Sequence, residues 1–306
     1  MNKADLLLDG AIDMHAHGYP QFTLNMPGRQ NNYEWAHAAK DAGMAGFVIK
    51  SHIWPTTGEA YLLDQILWGI NVFGSITLNY TVGGLNPLAV QIAAESGAKV
   101  VFMPTWNSKN DIDKGMHYAD RMRPYVTLVD EAMNGLPGIT VLDENGRLLP
   151  EAQAIIDLCK IYDLVLASAH LSIEESLLLC KAATSSGVKF VLTHPLNTPL
   201  IGASPDQIKE VAEMGGFIEN VFIGCMPMHE GIKPKRIVEV IENVGAEHCT
   251  MASDAIEAWN PPPPEVLRMF IASMLALGVS EDDVFTMTHT NPGYLLSMGS
   301  TALSEK

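Results

Sequence analysis

The amino-acid sequence predicts one (β/α)8 barrel, and three observations lead to that prediction. Short apolar runs rich in Val, Ile and Phe recur eight times along the chain. Amphipathic segments with alanine-rich or charged faces lie between them, and strand alternating with helix in this way is typical of a parallel α/β barrel. The length of 306 residues suits one large barrel. We therefore expect a single domain over residues 1–306.

The eight predicted strands carry polar side chains at or near their ends. In chain order they read G-A-I-D-M-H-A-H, G-F-V-I-K-S-H, V-F-G-S-I-T-L-N, K-V-V-F-M-P-T, L-V-L-A-S-A-H, K-F-V-L-T-H-P, G-F-I-E-N-V-F and C-T-M-A-S-D. A glycine follows four of the intervening segments, as expected where a helix ends. These helical segments are residues 33–42, 86–96, 173–186 and 205–214.

One connection is much longer than the others. Between the fourth and fifth strands, an excursion over about residues 106–151 contains I-T-V-L-D-E-N-G-R-L-L-P, in which Asn145 and Gly146 signal a hairpin. Because it leaves the barrel at the carboxyl end of a strand, we expect it to overhang the mouth. The proline run at residues 261–264 predicts a stiff loop after strand eight.

Composition excludes several classes of protein. Hydrophobic residues make up 47% of the chain and charged residues 18%, which allows a large core. The net charge is −16 and Lys and Arg form no cluster, which argues against binding a nucleic-acid backbone. No apolar run reaches membrane-spanning length, and acids interrupt the N-terminal stretch where a signal peptide would be apolar. We expect a cytoplasmic protein that acts on a small molecule, not on nucleic acid or a membrane.

The cysteines and the common nucleophile motifs point away from two further classes. Cys159, Cys180, Cys225 and Cys249 lie far apart, without a C-x-x-C pair, and read as reduced buried thiols. The motifs G-x-S-x-G and G-x-x-x-x-G-K-[ST] are both absent. Neither a serine hydrolase of that type nor a nucleoside triphosphatase is therefore predicted.

Five of the ten histidines fall at the carboxyl ends of predicted strands. His15 and His17 end the first strand, and residues i and i+2 of a strand point to the same face. His52, His170 and His194 end later strands, with Lys50 and Asp254 in similar positions. A barrel builds its active site at this face, and a buried ionisable group is costly unless it is bound. The alternative for any one histidine is a structural role, and we assign that role to the remaining five. They are His37, His117, His229, His248 and His289. For His117 and His229 a role in the site stays open, because their loops can cover the mouth.

The segments I-D-M-H-A-H, A-S-A-H, V-L-T-H-P and M-A-S-D-A, in this order and spacing, resemble the amidohydrolase superfamily of metal-dependent hydrolases. The resemblance covers residues 10–255. Larger, hydantoinase-like members begin with a β-sandwich before H-x-H. Here H-x-H begins at residue 15, so the chain is most similar to short, single-barrel members.

The resemblance implies a metal centre and a reaction. His15, His17 and Asp254 would hold the more buried of one or two divalent ions, and His170 and His194 the more exposed one. The implied reaction is hydrolysis of an amide, cyclic amide or lactone by a metal-activated water, with Asp254 as general base. Imidazole and carboxylate ligands favour zinc and are compatible with manganese, iron or nickel.

Strand four departs from the superfamily pattern. Two-metal members have a bridging carboxylated lysine or a glutamate at its end, whereas this strand ends F-M-P-T-W. Lys50 can substitute, because neighbouring cations would lower its pKa and make it reactive towards carbon dioxide. In the alternative, Lys50 stays protonated and binds a substrate carboxylate or phosphate. Without a bridging lysine we expect one metal ion.

Several further assignments stay open. His52, Asn79 and Glu219 face the same rim and are candidate substrate contacts, and Thr105 and Trp106 accompany them. Specificity residues are also expected in the excursion, namely Tyr118, Arg121, Arg123 and Tyr125. The same metal site would also serve a mononuclear decarboxylase, a deaminase or a phosphoester or phosphotriester hydrolase. A metal-binding barrel without catalysis is a further alternative, which the presence of Asp254 argues against. The apolar segment at residues 266–277 can pack on the barrel or on a second copy, so a homo-oligomer stays open.

Overall fold

The fold is taken from a computed structural model that describes residues 2–21, 23–26, 28–115, 135–197 and 200–298. Eight parallel strands pair in sequence order, from β1 to β8. The strands are β1 (Ile12–Ala16), β2 (Gly46–Ile49), β3 (Asn71–Thr77), β4 (Ala98–Phe102), β5 (Val165–Ala167), β6 (Lys189–Leu192), β7 (Phe217–Val221) and β8 (Cys249–Ala252). Each predicted apolar run overlaps one of them, with β3 and β4 beginning one residue before their runs, so the (β/α)8 prediction is confirmed.

Helices alternate with the strands. The described α-helices are α1 (Lys3–Leu8), α2 (Asn32–Asp41), α3 (Thr57–Ile66), α4 (Pro87–Glu95), α5 (Lys109–Asp113), α6 (Pro150–Ile161), α7 (Ile173–Ser185), α8 (Pro205–Glu213), α9 (Pro234–Val244), α10 (Pro263–Ala276), α11 (Glu281–Phe285) and α12 (Asn291–Leu295). Side-chain capping boxes begin α2, α7 and α8, because a side-chain oxygen at each end of the S/N-x-x-E/Q pattern accepts a hydrogen bond from a free backbone N–H. The four helical segments predicted from the sequence match α2, α4, α7 and α8 closely.

Hydrogen bonds close the barrel between β1 and β8. The amide of Asp254 donates to the carbonyl of His15 at 3.0 Å. The buried carboxylate of Asp13 accepts from the amide of Ser253 at 3.2 Å and from that of His15 at 3.0 Å. Because buried backbone groups must be paired, these bonds fix the carboxyl ends of the first and last strands side by side.

The described parts of the excursion, residues 106–115 and 135–151, lie at the carboxyl end of the barrel. Ser108 Oγ and Asn110 Nδ2 each donate to the carbonyl of His170 at 3.0 Å. The predicted hairpin is present: the amide of Asp143 donates to the carbonyl of Arg147 at 2.7 Å, and Gly146 adopts a φ of 72°. These parts of the excursion therefore reach the mouth of the barrel, as predicted.

Helix α10 packs on the barrel, and association of this chain with a second copy stays a prediction. The buried residues of α10 include Phe270, whose ring stacks on Phe222 at a centroid distance of 5.0 Å. The prediction of a loop over residues 261–264 is wrong for its second half. Helix α10 begins at Pro263, where proline fits because the first turn of a helix needs no amide donor. Within the described ranges, no helix combines the length and the apolarity needed to cross a membrane.

Candidate metal centre

Three strand ends at the mouth have an uncommon backbone conformation. Ala169, next to His170, has a φ of 51°, His194 of 31° and Asp254 of 52°. Residues other than glycine rarely adopt this left-handed conformation, which costs on the order of 1–3 kcal/mol per residue. The surrounding structure therefore sustains this strain at two candidate ligands, His194 and Asp254, and at the residue before a third, His170.

His15, His17 and Asp254 form a compact group at the end of β1 and β8. Asp254 Oδ1 lies 3.0 Å from His15 Nε2 and 3.1 Å from His17 Nε2. The ligand atoms of the three residues all lie within 4.8 Å of one another. The two side chains of the H-x-H motif thus converge on one point, as the strand period predicts.

Second hydrogen bonds orient both imidazoles of this group. His15 Nδ1 lies 2.8 Å from Glu219 Oε2, and His17 Nδ1 lies 3.1 Å from the carbonyl oxygen of Lys50. Since each acceptor requires a proton on Nδ1, Nε2 is the nitrogen of each ring that presents its lone pair to a metal ion once its own proton has left. Two imidazole nitrogens and a carboxylate oxygen are a donor set suited to a divalent metal ion, so the residues present fit the implied metal.

At two of the three residues in this group, charges and hydrogen bonds shift the pKa more strongly than burial does. Burial lowers the pKa of His15, but the carboxylates of Asp254 and Glu219 raise it to about 9. Burial raises the pKa of Asp254, but the charge of His15 and hydrogen bonds from His15 and His17 hold it well below its usual range. Burial dominates at His17 and lowers its pKa to about 4. Asp254 is therefore ionised, which favours a bound cation.

Lys50 lies inside the same cluster. Lys50 is 1% exposed. Its Nζ lies 2.8 Å from His15 Nε2 and 4.6 Å from the centroid of the Phe102 ring. Burial lowers the pKa of Lys50 to about 8. A larger share of its amine is therefore neutral near neutral pH than for an exposed lysine.

His170 and His194 approach from β5 and β6. Their ring centroids lie 5.3 Å apart, and the ring of His194 lies 5.9 Å from that of His15. His170 Nδ1 lies 2.7 Å from Asp111 Oδ2 on α5. His194 Nδ1 is buried and has no hydrogen-bond partner among the described residues, which is the state expected of a ligand whose partner is an ion or substrate. The structure therefore brings all five predicted histidine and aspartate ligands together.

His52, Asn79 and Thr105 form a linked wall beside His17. The rings of His52 and His17 stack at a centroid distance of 5.0 Å. His52 Nδ1 lies 2.9 Å from Thr105 Oγ1, and Asn79 Nδ2 donates to Thr105 Oγ1 at 2.6 Å and to the His52 carbonyl at 2.8 Å. Asn79 thus positions His52 and Thr105, and Glu219 positions His15. Direct contact of Asn79, Glu219 or His52 with a substrate stays a prediction.

A cavity with about 550 Å³ of empty space, the open solvent at its mouth included, lies above this cluster. Its lining includes His17, Lys50, His52, Trp106, His170, His194, Asn197, Ile223, His229, Asp254, Ile256 and Glu257. Asn197, His229 and Glu257 lie further along the loops of the mouth. His229 is one of the two histidines whose role the sequence leaves open. The other such histidine, His117, and the proposed specificity residues Tyr118, Arg121, Arg123 and Tyr125 lie outside the described residues.

The sequence did not single out Asp111 or Glu257. Asp111 is 1% exposed and sits three residues after Ser108, whose Oγ accepts from its amide at 3.0 Å. That N-cap spacing is the only sequence signal that could have placed Asp111 on a helix. Glu257 follows β8 in a loop without a motif, so its position in the cavity needed the structure.

A family model for a family of unknown function, DUF6282, matches residues 10–219. The chain belongs to the DUF6282 family. The match runs from β1 into β7 and therefore includes all candidate ligands except Asp254. No curated protein sequence matches this DUF6282 chain.

Solved structures with similar folds include three with stated activities. An amidohydrolase from Pseudomonas aeruginosa superposes with a TM-score of 0.67 at 12% identity, over 97% of this chain and 98% of that one. A metallopeptidase, dipeptidase AC, gives 0.63 at 11% identity, over 95% and 98%. A mutant PTE-like lactonase from Deinococcus radiodurans gives 0.57 at 13% identity, over 97% and 98%. At these identities the likeness confirms the barrel fold.

Proposed function

We propose that this DUF6282 chain is a metal-dependent hydrolase of the amidohydrolase type, acting on an amide, cyclic amide or lactone. The observation that carries the proposal is the convergence of His15 Nε2, His17 Nε2 and Asp254 Oδ1 within 4.8 Å at the floor of a cavity. A barrel places its reactive groups at this end of the strands. Three protein ligands leave coordination positions for water and substrate.

The similar structures support the same class of reaction. One is described as an amidohydrolase, one as a metallopeptidase and dipeptidase, and one as a lactonase. Amide and lactone hydrolysis share one chemical problem, the attack of water on a carbonyl carbon. The fold is thus compatible with that reaction, and His15, His17 and Asp254 are suited to hold the metal ion that would activate the water.

His15, His17 and Asp254 would hold the ion, with His170 and His194 beside them. A divalent ion held by these residues would act as a Lewis acid towards a carbonyl and would lower the pKa of water towards about 7. Asp254 is ionised, so its carboxylate takes the proton of the attacking water and returns it to the leaving amine or alkoxide. Glu219 and Asp111 keep the imidazoles of His15 and His170 in the tautomers that binding requires.

Two roles of Lys50 accompany this proposal. As a carboxylated side chain it would bridge two ions, and the lowered pKa favours the neutral amine that reacts with carbon dioxide. As an ammonium group it would bind a substrate carboxylate or phosphate. The metal content of Lys50→Ala separates the two roles, since loss of a bridging ligand lowers a content near two ions per chain to one or fewer.

A mononuclear alternative is favoured by one observation. Among the described residues, His15, His17 and Asp254 form the one group of three ligand atoms close enough to hold an ion. A single ion on this site would suit a decarboxylase, a deaminase or a phosphoester or phosphotriester hydrolase. One ion per chain in both wild type and Lys50→Ala would favour this alternative.

The hydrolase proposal is tested with Asp254→Asn in the metal-supplemented protein. We expect hydrolysis of a panel of amides and lactones to fall roughly 10²–10⁴-fold, the usual contribution of a general base. Asp282→Asn, on exposed α11, removes the same charge away from the cavity and should retain wild-type rates. Equal rates for wild type and Asp254→Asn would contradict the assignment of Asp254 as the base.

A further inference from the structure

A second polar group lines the cavity on the loops that follow β7 and β8. It consists of two lining residues, His229 and Glu257, and of Asn260, which bonds to Glu257 from behind the lining; we call the three the rim group. Glu257 is 3% exposed, and its Oε2 accepts from Asn260 Nδ2 at 2.8 Å and lies 3.3 Å from His229 Nε2. The side chain of His229 is 1% exposed. The metal ligands do not include these residues, so the cavity has a second buried polar feature.

Hydrogen-bonding rules fix what the rim group offers to a ligand. Both ring nitrogens of His229 are buried and have no hydrogen-bond partner among the described residues, although Nε2 lies 3.3 Å from Glu257 Oε2. In the neutral imidazole one of the two nitrogens has a lone pair and accepts hydrogen bonds. The carboxylate of Glu257 and one ring nitrogen of His229 are therefore two acceptors on one wall of the cavity.

The charge of Glu257 lacks a Lys or Arg partner among the described residues. Its neighbours are an imidazole and a neutral amide, and Ile223 and Ile256 add apolar surface to the same cavity. Lys50 is the only Lys or Arg in the described lining, and its Nζ contacts His15 at 2.8 Å. A buried carboxylate without a cation is costly. A ligand that brings both a positive charge and several N–H donors would offset that cost.

We propose that Glu257 and His229 bind a protonated primary amine of the substrate. An ammonium group carries three donors and one positive charge, which complements two acceptors and one negative charge. Both side chains line the same cavity as His17 and Asp254, so a bound amine would lie beside the site of the proposed reaction. This specificity rests on the hydrolase function proposed above, and it restricts the substrates to amino-substituted amides or lactones.

A binding experiment tests the amine site without any turnover. Calorimetric titration of the metal-loaded protein with cyclopentylamine, and with cyclopentanol as the uncharged match, should show binding of the amine alone. Glu257→Gln should weaken amine binding at least about 10-fold, equivalent to about 1.4 kcal/mol. His229→Gln is the second variant, and Glu242→Gln on exposed α9 is the charge-matched control. Equal affinity for the amine in wild type and both cavity variants would overturn the proposal.

A kinetic experiment then connects the amine site to substrate choice. The ratio of kcat/KM for L-leucinamide to that for N-acetyl-L-leucinamide should favour the free amine in wild type. In Glu257→Gln this ratio should fall at least about 10-fold, mainly through KM of the free amine, and Glu242→Gln should keep it. An unchanged ratio would overturn the proposal. Amine binding without hydrolysis of either amide would instead count against the proposed hydrolase function and leave the amine site standing.

Discussion

His170 offers one ring nitrogen to the cavity because Asp111 binds the other. Asp111 Oδ2 lies 2.7 Å from His170 Nδ1, and the carboxylate is 1% exposed. A carboxylate in this position fixes the tautomer and the ring plane of a metal-binding histidine. Asp111 therefore acts on the site through His170, as a positioning residue.

Replacement of Asp111 should weaken the site more than it weakens the fold. We expect Asp111→Asn to lower metal affinity or activity about 10–100-fold, the range found when such partners are removed. Titration of the metal-free protein with zinc, followed by competition with a chelator, measures the affinity. Asp113→Asn, exposed on the same helix α5, is the control. Wild-type affinity and activity in Asp111→Asn would show that the bond to His170 has no influence on the site.

Residues in or directly after strands were predictable, and residues on the helix of the excursion or further along the loops were not. His15 and His17 share a face because the strand period is two, and His170, His194 and Asp254 each end an apolar run. Asp111 and Glu257 lie outside strands, where no periodicity relates a residue to the barrel axis. Their partners come from distant parts of the chain: His170 is 59 residues from Asp111, and the rim group joins two loops.

At the level of elements, the return of the excursion fixes α5. The amide of Lys109 donates to the carbonyl of Ile139 at 2.7 Å, and the amide of Ile139 donates to that of Asn107 at 2.7 Å. At Gly138 a Cβ atom would lie 2.3 Å from Lys109 Cα. The two segments approach this closely only because residue 138 is glycine.

Gly138→Ala should therefore shift α5 and Asp111 with it. We expect a loss of about 1–3 kcal/mol in the free energy of unfolding, as for overpacked sites, measured by urea denaturation. Metal affinity should fall in parallel. Gly58→Ala is the matched control, because its Cβ meets no atom within 4 Å on exposed α3. Equal stability of Gly138→Ala and Gly58→Ala would contradict the close approach.

The helices and strands themselves followed from pattern, with errors at special residues. Alternating apolar runs and amphipathic segments predicted the order of elements correctly, since burial on both faces of a parallel sheet leaves apolar strands. The prediction of a loop from the proline run was wrong in part, because Pro263 begins α10 and the sequence alone does not distinguish a helix start from a loop.

For the molecule as a whole, the base of the barrel is tied by a histidine that the site does not use. His289 Nε2 lies 2.9 Å from the carbonyl oxygen of Asp9, which joins the C-terminal helices to the segment before β1. Burial lowers the pKa of His289, against the effect of that hydrogen bond. The folded protein therefore resists protonation of this ring.

Acid should destabilise the fold in part through His289. Because the pKa of His289 is lower in the folded protein, the unfolded chain binds more protons as the pH falls below about 6.5. The stability that the neutral His289 ring contributes is therefore present above that pH and is lost on acidification. His289→Gln, which keeps an amide donor, should lose less stability than wild type between pH 7.5 and pH 5.5. Urea denaturation at both pH values measures it. An equal or larger loss in the variant would contradict the prediction.

The central claim is that β1 and β8 together hold a functional metal ion. The most direct test is elemental analysis of protein purified without chelators, for wild type and for the double variant of His15→Asn and His17→Asn, with His248→Asn as control. We predict about one or two ions per chain in wild type and control, and almost none in the double variant. A metal-free wild type after growth with zinc and manganese, or an equal metal content in the double variant, would contradict the account.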